Sequence, residues 1–191
     1  ALREQAGPVR LSATIRLHQV KYARRTGVPP VERGMLMFYN VGSLQAAPQR
    51  PSIFNAEDAG RYVAHLDAYP LPLDAVLPVF SWAVQGREGR VVGLLPKPDE
   101  AALGANPALT SLGPGRYRAS AATLMAGAYL QEGDTLAVEA MRPDEARAAA
   151  DLLARHFHPR SPFAIALFDL DERNLKAHGP EDLEALYSAV R

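Results

Sequence analysis

Apolar and polar positions along the chain fall into two repeating patterns, one of period two and one of helical period, and they alternate. From Val9 to Val20 the residues Ala13, Ile15 and Leu17 alternate with Thr14, Arg16 and His18, which predicts a strand over 11–19 with two unlike faces. Gly34-Met35-Leu36-Met37-Phe38-Tyr39-Asn40 and Phe163-Ala164-Ile165-Ala166-Leu167-Phe168 are continuous apolar runs, as expected of strands covered on both faces in a parallel sheet. Leu73 to Val84 is a third such run, and Pro78 within it points to an edge or a bulge. Helices are predicted from Asn55 to about Ala68, from Pro143 to about Phe157 and from Pro180 to Val190. Asn55 and the prolines mark their starts, and acids follow in each first turn.

The remaining segments break this rhythm. Gln85-Gly86-Arg87-Glu88-Gly89-Arg90 reads as a hairpin turn into a strand over 91–95, because glycine permits the positive φ of a tight reversal. Residues 96–114 read as a loop, 123–130 as helical or irregular, and Asp134 to Glu139 as a strand. Opening residues Ala1 to Pro8 resemble the last turn of a helix. The fold class expected is α/β: a single domain over 1–191 forming the C-terminal half of a TIM-type β/α barrel, with 84–140 as an excursion holding a hairpin. Strands 11–19, 34–40, 75–82 and 163–169 are expected to be parallel and adjacent in chain order.

Composition narrows the function classes. In 191 residues, 21 basic and 21 acidic side chains cancel, so nothing in the overall field favours nucleic acid. Cysteine is absent, which removes disulfides, thiolate metal sites and a cysteine nucleophile. No apolar run approaches the ~20 residues that span a bilayer. His156 and His158 flank Phe157 without the other ligands of a metal site, so neither a metal nor a cofactor is expected. Oligomeric state is left open.

In parallel β/α architectures ligands bind beyond the carboxyl ends of the strands. The polar residues there are Arg16, His18, Tyr39, Asn40, Trp82, Asp169 and Asp171, and those from His18 onward are expected around one cleft. Asp169 and Asp171, two apart, would share a face of an extended strand. One of them, held protonated, would be a general acid; alternatively Asp171 caps the following turn. Arg16 and His18 would orient a ligand or form buried ion pairs. Trp82 offers a platform for a sugar ring, or serves as core. Glu139 is an acid or base if its strand joins the barrel, and otherwise pairs with Arg142 at the surface.

The phrases Leu11 to Lys21, Gly34 to Asn40, Pro70-Leu71-Pro72-Leu73-Asp74 with Phe80-Ser81-Trp82, and Phe168-Asp169-Leu170-Asp171 together resemble a family. It is the C-terminal half of bacterial glycoside-hydrolase-like barrel proteins of unknown function. The resemblance implies a carbohydrate-active protein with a glycan ligand, secreted or in the cell envelope. Asp169 or Asp171 would then supply one of the two carboxylates that flank a glycosidic bond. A noncatalytic cell-envelope glycan-binding protein on the same scaffold is the alternative.

Overall fold

A computed structural model describes residues 4–5, 7–42, 44, 51–159, 161–169 and 171–190. Most of the expected loop before Asn55 and part of the opening helical turn lie outside the described residues, as does Leu170. Four strands form a parallel sheet in chain order: β1 (Ser12–Arg16), β2 (Arg33–Met37), β3 (Leu73–Pro78) and, after a long excursion, β11 (Ile165–Phe168). Ile15, Leu36, Ala75 and Leu77 are fully buried in it. This is the parallel, sequential arrangement expected from the apolar runs. The described strands do not close into a barrel.

Helices build the adjoining layer. β1 runs directly into α1 (Leu17–Lys21) and α2 (Ala23–Thr26), β2 is followed by α3 (Ala56–Val63) and a 3-10 turn (Leu66–Ala68), and α5 (Pro143–Ala154) precedes β11. The chain closes with α6 (Glu172–Ala177) and α7 (Pro180–Ala189). α3 packs between α1 and α5, while α5 also contacts β3 and α7, and all share one apolar core. Asn55 caps α3 by accepting the Asp58 amide at 3.0 Å, as its sequence position predicts. The buried Asp74 ties the sheet together: it pairs with Arg33 at 2.8 Å and accepts the Ala164 amide at 2.7 Å.

Between β3 and β11 lies a five-stranded antiparallel sheet, in the order β5 (Arg90–Pro96), β4 (Ser81–Arg87), β10 (Thr135–Ala140), β7 (Arg116–Ala119), β6 (Leu109–Gly113). It has its own core, in which Ala83, Leu95, Leu136, Tyr117 and Leu130 pack with Leu103 of α4 (Glu100–Ala105). A small hairpin, β8 (Thr123–Met125) and β9 (Ala128–Leu130), completes the module.

Four expectations need correction. The strand expected over 11–19 stops at Arg16, and His18 lies on a helix. Leu17 and Val20, both buried, satisfy a helical spacing as well as the end of an alternation, and the Gln19 side chain accepts the Arg16 amide at 2.8 Å to start the turn. The run expected as one strand through Trp82 is two strands in different sheets, joined at Val79-Phe80. Pro78 is neither at a sheet edge nor in a bulge, since β3 is central and Pro78 is its last residue. Val76 accepts from Phe38 on the β2 side and Val79 donates to Phe168 on the β11 side, so alternation turns Pro78 toward β2, and its missing N–H falls where the β2–β3 ladder ends. The stretches read as loop and as irregular are instead α4 with β6 and the β8–β9 hairpin, elements too short for periodicity to register.

Candidate functional site

A cleft of about 350 Å³ opens at the carboxyl ends of β1 and β2. Its lining includes Arg16, His18, Tyr39, Asn40, Ser52 and Trp82, with Leu94 of β5 on the far wall. Each arrives there for a local reason. Arg16 ends β1 and His18 sits in the first turn of the helix that begins at Leu17. Asn40 takes the left-handed conformation (φ 54°) that asparagine tolerates better than most residues, and its amide donates to Ile53 O at 2.6 Å. Trp82 reaches the cleft because the chain leaves β3 and enters the antiparallel sheet one residue earlier.

Aromatic rings floor this region. Tyr39 stacks on Phe168 with centroids 5.3 Å apart and planes 8° apart, and Phe80 meets Tyr39, Phe168 and Trp82 edge-on at 5.4–5.6 Å. Burial, and secondarily the charge of Asp169, pushes the Tyr39 phenol above its ordinary pKa of 10.0. Tyr39 therefore stays protonated and able to donate at neutral pH.

Asp169 and Asp171 stand beside the cleft, past Phe168, and are not among the residues lining it. Both converge on Lys97, whose ammonium lies 3.0 Å from Asp169 and 2.9 Å from Asp171. Asp169 also accepts from the Asn174 amide side chain. Asp171 caps α6 by accepting the Arg173 amide at 2.9 Å, the alternative role its position suggested. The hydrogen bond from Lys97 is the main cause that holds the Asp171 carboxyl below its ordinary value, helped by the Arg173 amide. That is the opposite of what a carboxyl kept protonated as an acid requires.

Glu139 does not pair with Arg142, which instead faces Asp144 and Glu145. One Glu139 carboxylate oxygen accepts from Ser52 N at 2.8 Å, Ser52 Oγ at 2.7 Å, Ile53 N at 3.3 Å and the Trp82 indole at 3.3 Å. Lys97, Ser52 and the role of Glu139 were not visible in the sequence. Lys97 stands between two prolines, and Glu139 reaches Trp82 only because β10 and β4 pair in a register that sets the two residues opposite each other.

No protein-family model matches the sequence, and no curated protein matches it. Among solved structures, a chitinase from Chromobacterium violaceum superposes with a TM-score of 0.50 at 13% identity, over 97% of this chain and 56% of that one. The likeness is one of fold. A chitinase from Rhizomucor miehei gives 0.44 at 12% identity, over 100% of this chain and 64% of that one. The chain thus spans less than two thirds of the length of either, and its mixed α/β fold is similar to part of the first.

Proposed function

We propose that this chain is four consecutive strands of a parallel β/α barrel, carrying 84–140 as an insertion, and that the cleft at their carboxyl ends binds a glycan. The observation that carries the reading is the cleft itself. The Trp82 ring offers an apolar face to a sugar ring, while Arg16, His18, Tyr39 and Asn40 offer groups for hydroxyl edges around it. Arg16 and His18 act as ligand-orienting groups. Asp169 and Asp171 are both held by Lys97 beside the cleft, and that pairing keeps the Asp171 carboxyl below its ordinary value. Carboxylates so paired suit binding better than proton donation. Hydrolysis is the second reading, favoured by the fold shared with a chitinase, and it requires a carboxyl free to carry a proton near the bound bond.

Titration calorimetry against β-linked oligosaccharides, chito-oligosaccharides first, tests the glycan reading. The parent chain is expected to bind, and Trp82→Ala to weaken binding about tenfold or more through lost aromatic contact. A parent that binds none of the panel rejects the glycan reading. Product analysis on the same panel separates the two forms of it. Retained binding without turnover supports the binder, whereas turnover lost in Asp169→Asn or Asp171→Asn supports the hydrolase. Lys97→Met is expected to return the Asp171 carboxyl toward the ordinary carboxylate range in a ¹³C titration, and an unchanged titration would remove Lys97 as the cause.

A further inference from the structure

We infer that Glu139 is the positioning residue of the cleft, fixing the Trp82 indole and the Ser52-Ile53 backbone in the geometry a ligand meets. The purpose of this arrangement rests on the glycan reading above; the arrangement itself does not. Glu139 and Trp82 are directly opposed in the β10–β4 ladder, so their side chains share one face of the antiparallel sheet. The indole N–H therefore meets the carboxylate without leaving the cleft wall.

The other donors come from the loop after β2. Ser52 and Ile53 are 3% and 1% exposed, and among the described residues their amides and the Ser52 hydroxyl would lack a partner if the carboxylate were withdrawn. Ile53 in turn accepts the Asn40 amide, which extends the chain of bonds to a second lining residue. Among the described residues the partners of Glu139 are N–H and O–H groups and none is cationic. A single oxygen from the antiparallel module thus holds Trp82 of its own sheet and the loop after β2 on two walls of one cleft. Fixing an aromatic rotamer before binding removes the ordering cost from the binding step.

Trp82 is the only tryptophan in the chain, so one indole resonance and one emission band report on this contact alone. In the parent, the indole N–H is expected to be shifted downfield and to exchange slowly, and exchange as fast as in free tryptophan overturns the inference. This measurement needs no variant to fold. In Glu139→Gln and Glu139→Asp the resonance should move upfield and the emission shift, with glycan affinity falling about tenfold. On a Trp82→Phe background, Glu139→Gln should cost less than about threefold, because the contact it serves is gone. Unchanged indole signals in a folded Glu139→Gln, or an affinity equal to the parent despite a shifted signal, would each defeat the inference while leaving the glycan reading standing. If the parent binds no glycan, the glycan reading fails and the indole signals still decide the Glu139–Trp82 link.

Discussion

Single side chains in this molecule are held by partners far away in sequence, and His178 shows what happens when partners are lacking. It is fully buried after α6, where its amide donates to Asn174 O at 3.1 Å, and among the described residues neither ring nitrogen makes a well-formed hydrogen bond, the Met141 backbone approaching only as a weak partner. Burial pushes its pKa below 6.5, while the Met141 backbone and Asp182 pull less strongly the other way. The folded state therefore favours neutral imidazole. The unfolded chain takes up a proton once pH falls below about 6.5, so stability is constant above that value and declines as pH drops toward the folded pKa. Urea midpoints across pH 5 to 7.5 should fall more steeply for the parent than for His178→Phe. Parallel curves would contradict the assignment. Nothing in the sequence around His178 announces its burial, because a short helix with one histidine after it reads equally well as exposed.

Elements were legible to the extent that one signal dominated each. The β4–β5 hairpin turns through Glu88 (φ 50°) and Gly89 (φ 75°), the two positive-φ positions of a two-residue reversal, and glycine marked it in advance. Gly89→Ala should destabilise the chain by about 1 kcal/mol in urea unfolding, whereas Glu88→Asn should stabilise it by roughly a few tenths, since asparagine tolerates that conformation. Equal effects would show that turn strain does not limit this hairpin. Gly34 in β2 answers to a different constraint, because a Cβ there would lie 2.7 Å from both Ile15 and Leu73. α1 was misread because five residues supply too few repeats to separate period 2 from period 3.6.

At the scale of the whole molecule two cores coexist, one under the parallel sheet and one under the antiparallel module. Asp134 anchors the second. It is 1% exposed and accepts from Arg87 at 2.7 and 2.8 Å, from Gln85 at 2.8 Å and from the Gln131 amide at 2.9 Å. The hydrogen bonds from Arg87 are the main reason its carboxyl stays far below the usual carboxylate range. Asp134→Ala leaves the Gln85 side chain and the Gln131 amide without the acceptor they share and should lower the urea midpoint of unfolding. Because the cores are separate, hydrogen exchange should accelerate in β4, β7 and β10 and leave β2 and β3 protected; uniform acceleration would mean that they unfold as one.

By itself the sequence determined that strands of the parallel sheet lie within the apolar runs 34–40, 73–84 and 163–168, since such a run is a local property that demands cover on both faces, but not that the second of them breaks after Pro78. It also determined the β4–β5 hairpin and the starts of α3, α5 and α7, which depend on the conformational preferences of one or two residues. Tertiary structure alone decided that Asp169 and Asp171 meet Lys97, that Glu139 holds Trp82, and that Ser52 joins them. A period of two tells which face a residue takes but never which residue stands opposite. Glu139 and Trp82 are 57 positions apart, and Lys97 and Asp171 are 74 apart. Such pairs are fixed by strand register and sheet order, which exist only once the chain has packed.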